Sequence, residues 1–152
     1  MSIEKKLQTL NIELPTLPKP VGSYIPVVQS GHLLFVSAQI PIRDGNVLFT
    51  GKLGADLDVP TGQEAAKLCV LNALAALKAE LASLDKIKRI VRVEVYVNSA
   101  AGFTDQPKVA NGASDFLVEL FGPAGRHSRT AIGVAELPLN AAVELTLIAE
   151  KE

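Results

Sequence analysis

Arg129 stands at the mouth of an apolar, β-favouring run, Ser128-Arg129-Thr130-Ala131-Ile132-Gly133-Val134-Ala135-Glu136, which Leu137-Pro138 then stops. A second strand-like run, Val143 to Ala149, follows and carries one charge, Glu144. A guanidinium fixed at a strand end can grip a carboxylate, because its planar fork donates two parallel hydrogen bonds. A carboxylate within hydrogen-bond reach of a water can take up or return a proton. If the two runs pair as a hairpin, both groups sit near one cleft, and the rest of the chain is the scaffold that presents them.

The elements that must position this pair follow from local chemistry. Ser2 caps a short helix with Ile3, Leu7 and Leu10 along one side. Pro15, Pro18 and Pro20 force an extended connector, so residues 1–20 form a flap laid over the body. Tyr24 to Val28 and Leu33 to Val36 read as a hairpin, Asp44-Gly45 as the next turn, and Val47 to Thr50 as a short strand. Thr61-Gly62-Gln63-Glu64 fits a capping box opening a helix that runs to about Ser83. Ile90 to Asn98 alternates with period two, which sends Val91, Val93, Val95 and Val97 to one side. Asp105 and Pro107 open a second long helix with Val109, Ala113, Phe116, Leu117 and Leu120 as its buried stripe, stopped by Gly122. No repeat, low-complexity tract or linker interrupts the order. The expected architecture is one α+β domain over residues 1–152, a mixed sheet with two long helices on one face. The other face needs a cover, and self-association supplies one.

With 152 residues, 48% apolar and 20% charged, the chain is long enough for one real core. The formal net charge is −1, and the densest basic group, Lys86, Lys88, Arg89 and Arg92, is flanked by Asp85 and Glu94. Nucleic-acid binding normally leaves a stronger basic footprint, and an absence of Trp with only two Tyr makes a thin stacking platform. No apolar run approaches the ~18–20 residues of a membrane helix. A single cysteine, Cys69, forms no intramolecular disulfide, and the charged N-terminus is unlike a signal peptide, so a reducing, cytoplasmic setting is expected. Cys69 lies mid-helix among Leu68, Val70 and Leu71, as a buried inert thiol does. His32 falls in a turn and His127 beside Arg126, and two lone histidines lack metal-ligand spacing. Arg129 taken alone reads equally as a substrate grip or as a structural arginine at a subunit contact. Glu144 on alternation alone reads as a solvent-facing strand residue.

The ordered set Gly22-Ser23-Tyr24, Leu34-Phe35-Val36-Ser37-Ala38-Gln39-Ile40-Pro41, Asn111, Ser128-Arg129-Thr130 and Val134-Ala135-Glu136-Leu137-Pro138 resembles the RidA/YjgF family, formerly the L-PSP endoribonuclease family. Members of that family include enamine/imine deaminases. The resemblance implies a chorismate-mutase-like fold, a homotrimer with clefts between subunits, and no cofactor or metal. It implies hydrolysis of 2-aminoacrylate or 2-iminobutanoate to a 2-oxo acid and ammonia. Under it, Arg129 matches the carboxylate-binding arginine and Glu144 the glutamate that orients or activates water. Tyr24, Ser37 and Asn111 match residues lining the pocket. Ala131 stands where deaminases of the family often have cysteine, and the Asn111-to-Arg129 interval is about a residue longer. The N-terminal helix and proline connector look like the additions of a longer subgroup. Two other functions fit the same residues, a non-catalytic trimer binding small carboxylic metabolites and an endoribonuclease.

Overall fold

The computed structural model describes residues 1–152. Ser2 opens α1 (Ile3–Thr9) by accepting from the Lys5 amide at 3.1 Å. The helix is pinned to the body rather than loosely laid on it. Glu4 accepts from Lys78 Nζ at 2.7 Å and the Leu84 amide at 3.0 Å, while Lys6 Nζ donates to the Leu120 carbonyl at 3.0 Å. Leu7 completes the contact as a buried residue.

The hairpin of β1 (Val27–Ser30) and β2 (Leu33–Gln39) turns at Gly31, whose φ of 60° suits a residue without Cβ. The first strand is shorter than expected. Tyr24 lies in the bent segment before it, because Pro26 has no amide to give a ladder. A second hairpin, β3 (Ile42–Arg43) and β4 (Asn46–Val47), turns at Asp44-Gly45.

The first long helix, α2 (Val59–Leu81), starts earlier than the Thr61 box implies. Asp58 is the cap, accepting from the Thr61 amide at 2.9 Å, and Pro60 occupies the first turn, where no amide donor is required. The helix stops at Ala82, which is left-handed at φ 67°. The second, α3 (Gln106–Phe121), buries the expected stripe and adds Ala110 and Phe121; Gly122 ends it at φ 62°. The two helices pack closely at Gly112, where an added Cβ would fall 2.3 Å from the Gln63 carbonyl oxygen.

Three long strands complete the sheet: β5 (Ile87–Asn98), β6 (Ser128–Val134) and β7 (Val143–Lys151). Their order with the hairpin is β1-β2-β7-β5-β6, and only β5 and β6 run parallel. Parallel neighbours require a crossover, which α3 provides. Val93, Val95 and Val97 of β5 and Val143, Leu145, Leu147 and Ala149 of β7 are buried beneath the helices. Val91 is not among them: register irregularities around Arg89 to Arg92 shift the alternation, and Ile90 takes the buried position. The mixed α+β sheet with both long helices on one face is therefore observed.

One expectation fails. The runs carrying Arg129 and Glu144 do not pair as a hairpin, because β5 lies between them. The connection after β6 passes over the end of β5, where the buried Asn98 holds it through the Ala141 carbonyl at 3.2 Å and the Ala142 carbonyl at 3.0 Å. No helix is long and apolar enough to cross a membrane.

Candidate functional site

The site residues fall into three places. At the β6 edge, Arg129 sits opposite the buried Val93, so its side chain emerges on the helix-bearing face. Its Nη1 donates to Asn111 Oδ1 at 2.8 Å and to Ser114 Oγ at 3.2 Å. Asn111 and Ser114 are one turn apart on α3, which puts them on one face of the helix. No carboxylate of the chain pairs with Arg129, and neither Nη2 nor Nε is used in an internal hydrogen bond. The guanidinium is thus oriented from one side, with donors left for a ligand.

His127 extends this group. Its Nδ1 lies 2.6 Å from the Gly125 carbonyl and its Nε2 lies 2.9 Å from Ser114 Oγ. A carbonyl only accepts, so the ring proton belongs on Nδ1 and Nε2 is the acceptor. The half-buried ring has its pKa lowered, chiefly by desolvation and also by the Arg129 charge, against the opposing pull of the Gly125 carbonyl. The neutral form that the hydrogen bonds require is the one that burial favours.

At the opposite edge, Tyr24 and Ser37 border a cavity of about 240 Å³ whose apolar walls include Leu17, Pro20, Ile40 and Leu139. Tyr24 is 53% exposed. Ser37 Oγ donates to the Ile25 carbonyl at 2.6 Å, so its proton fastens the segment after Tyr24 onto β2. Asn72, buried in α2, fixes the far wall by donating to the Ile40 and Ile42 carbonyls at 3.2 and 2.9 Å. Leu139 and Asn140 both have positive φ, 55° and 56°, an uncommon backbone state for a leucine. Lys52, which the sequence did not single out, secures the approach to this turn through Asn98 Oδ1 at 2.9 Å and the Ala135 carbonyl.

Glu144 occupies the middle of the open sheet face. It lies opposite Tyr96, between the buried Val143 and Leu145. Burial raises its carboxyl above the ordinary carboxylate range, and it has no hydrogen-bond or ion-pair partner in the chain. Beside it runs a paired network that draws Arg92, of the basic group near the start of β5, together with Glu94. Arg92 Nε donates to Glu94 at 2.9 Å, and the Tyr96 hydroxyl and Thr146 hydroxyl donate to the same carboxylate at 3.0 and 3.3 Å. Arg92 and Tyr96 hold the Glu94 carboxyl below its usual range. Cys69 is fully buried and its thiol is pushed well up, chiefly by desolvation, which suits an inert packing residue.

The structure therefore joins Asn111 to Arg129 and Tyr24 to Ser37, but leaves the two pairs at opposite sheet edges. Arg129 and Glu144 also face opposite sides of the sheet. Ser114 carried no sequence signal, since a serine mid-helix is unremarkable; the interval of three from Asn111 is the only hint. His127 could have been found from its spacing of two from Arg129, which places both side chains on one side of an extended chain.

Together these features describe an α+β protein with an oriented guanidinium that lacks an internal carboxylate on one sheet edge and an apolar recess on the other. Residues 4–151 match the family model described as "YjgF/chorismate mutase-like, putative endoribonuclease". The chain belongs to this YjgF/RidA family. It is similar to Protein TCP17 of Trypanosoma cruzi, at 46% identity over 97% of this chain and 93% of the relative. It is 30% identical to a 2-iminobutanoate/2-iminopropanoate deaminase of Dermatophagoides farinae, over 90% of this chain and 92% of that protein. Among solved structures, Atu1372 of Agrobacterium tumefaciens, of unknown function, superposes with a TM-score of 0.92 at 42% identity, over 99% of this chain and 92% of that one. TdcF of E. coli with bound serine gives a TM-score of 0.65 at 25% identity, over 90% and 94%.

Proposed function

We propose that the protein hydrolyses reactive 2-enamine and 2-imine acids to 2-oxo acids and ammonia, in clefts formed between protomers of a homotrimer. The observation that carries this reading is Arg129: a guanidinium held by Asn111 and Ser114, with its remaining donors free and no internal carboxylate to neutralise it. Its natural complement is a small carboxylate. The named deaminase activity of one relative and the serine bound in another support a ligand of that size and charge.

Each substrate has an electrophilic C=N bond beside its carboxylate, the enamine reaching it by tautomerisation. Water adds to the carbon while Glu144 accepts one of its protons and passes it to the imine nitrogen, giving a carbinolamine. Glu144 then takes the remaining hydroxyl proton and delivers it to the same nitrogen as the C=O bond forms, the C–N bond breaks and ammonia leaves. A carboxyl raised by burial suits both halves of this exchange, being a stronger base when ionised and still able to give the proton back.

Tyr24 and Ser37 cannot meet Arg129 within one chain, nor can Glu144, which faces the other side of the sheet. A head-to-tail contact between the β6 edge of one protomer and the β1–β2 side of the next brings them together, and three such contacts close a ring. The exposed apolar residues Val28, Phe35 and Ile132 on the open face supply surface for that assembly.

The test generates 2-iminobutanoate from threonine with a pyridoxal-phosphate dehydratase and follows 2-oxobutanoate. Acceleration by wild type but not by Arg129→Ala supports the reading. No acceleration, with saturable binding of small carboxylates, replaces it with the non-catalytic binder.

A further inference from the structure

Ser114 helps hold Arg129, but the contact that His127 makes with Ser114 has no role assigned above. Its hydrogen accounting leaves a single arrangement. The Gly125 carbonyl takes the Nδ1 proton of His127, so Nε2 carries a lone pair facing Ser114 Oγ. The serine hydroxyl donates to that lone pair. Its own oxygen then turns a lone pair toward Arg129 Nη1, 3.2 Å away. From this chain of three bonds we infer that His127, acting through Ser114, is a positioning residue that sets the angle at which Arg129 presents its free donors to a substrate carboxylate. The inference rests on the reading of Arg129 as the carboxylate grip.

The alternative state of Ser114 makes the point physical. A helical serine without a side-chain acceptor turns its hydroxyl back onto a carbonyl in the preceding turn. That rotation takes its lone pairs away from Arg129 and leaves Asn111 as the only internal anchor. A guanidinium held at one point swings about it, whereas one held at two points has a defined plane. Bidentate carboxylate recognition depends on that plane. His127 is suited to the task because its ring is fixed at both ends and half-buried, and because burial and the Arg129 charge keep it neutral, with Nε2 able only to accept.

A grip on the carboxylate acts on substrate and transition state alike, so its loosening is read in KM and in the affinity for the product acid, with kcat little moved. The experiment measures kcat and KM together with calorimetric binding of 2-oxobutanoate. The proteins are wild type, Arg129→Ala, His127→Ala, His127→Gln, Ser114→Ala and the Ser114→Ala/His127→Ala double variant, each checked for native oligomeric state. His127→Ala and Ser114→Ala are each expected to weaken binding by about tenfold, the scale of one lost internal hydrogen bond with its neighbour's geometry. The double variant is expected to do no worse than either single one, since both break the same chain. His127→Gln, whose side-chain oxygen reaches the place of Nε2, is expected to restore most of the affinity. Additive losses, unchanged binding in Ser114→Ala, or equal defects in His127→Gln and His127→Ala would overturn the relay while Arg129→Ala still loses the acid. If Arg129→Ala binds the acid as wild type does, the grip reading itself fails and the relay falls with it.

Discussion

At the β6 edge, Arg129, Asn111, Ser114 and His127 stand on or beside a regular strand and helix, joined by contacts of 2.6–3.2 Å. At the β1–β2 edge, Tyr24 and Ser37 border a cavity of about 240 Å³ walled by loops and a proline-rich connector. The first region is polar and fixed before any ligand arrives, which suits the invariant part of a substrate, its carboxylate. The second is apolar and shaped by irregular chain, which suits the part that varies. Between them, on the other face, Glu144 has none of the partners of Arg129, and partial burial raises its carboxyl. Under the proposed reading, the contrast separates binding, chemistry and fit into three places that an assembly of protomers would bring together.

The largest expected effect comes from removing the proton-handling group without touching either edge. Glu144→Gln should lower kcat by about 10²–10⁴ and leave KM within a few-fold. In wild type the rate should fall as pH drops through the raised Glu144 pKa, and that limb should vanish from the pH–rate profile of the variant. Glu144→Gln should also be at least as stable as wild type at neutral pH. A carboxyl whose folded pKa is raised loses stability as pH rises from its ordinary value through the raised one, and Gln never ionises. Thermal melts at acid and neutral pH check the sign.

Arg129→Ala breaks the polar edge. It should cost about 10²-fold in kcat/KM, the scale of a lost charge-assisted bidentate contact, and product-acid binding measures it directly. Gly112→Ala attacks the same edge from behind. The new Cβ has no room beside Gln63, so α3 must shift, and about 1–3 kcal/mol of stability should be lost. A melt that moves by less than ~2 °C would mean that the helix pair yields freely.

Ser37→Ala sharpens the comparison from the apolar edge with the smallest effect. Its hydroxyl already serves the Ile25 carbonyl, so about 1 kcal/mol of stability should go while kcat/KM changes little. A large loss of activity without a loss of stability would instead make Ser37 a direct substrate contact.

Much of this was legible along the chain. The buried stripe of α3, its Gly122 stop and the Val93–Val97 alternation follow from local periodicity, which long-range contacts only confirm. Arg129 was visible as a charge at the edge of an apolar strand. The hairpin expectation failed because two β-favouring runs around Leu137-Pro138 look alike whether they pair directly or flank a third strand. Strand order is set by the α3 crossover and by Asn98 clasping the connection, neither of which leaves a local pattern. The capping box at Thr61 misled for a simpler reason, since Asp58 offers the same chemistry three residues earlier. Ser114 stayed hidden because its partners His127 and Arg129 come from outside its helix. The Arg92–Glu94–Tyr96 network, by contrast, lies within β5 at intervals of two, and its Thr130 and Thr146 contacts come from the flanking strands.

The most direct test asks whether one cleft draws on two protomers. Arg129→Ala and Glu144→Gln are each expected to be lowered about 10²-fold or more in kcat/KM. They are unfolded, mixed in equal amounts, refolded together and assayed with substrate well below KM. If Arg129 of one protomer works with Glu144 of its neighbour in a closed trimer, every mixed ring holds one intact cleft, and about a quarter of the wild-type rate should return. Recovery near that level supports the two-edge site. A mixture as inactive as its components, in trimers shown to have exchanged subunits, would contradict it.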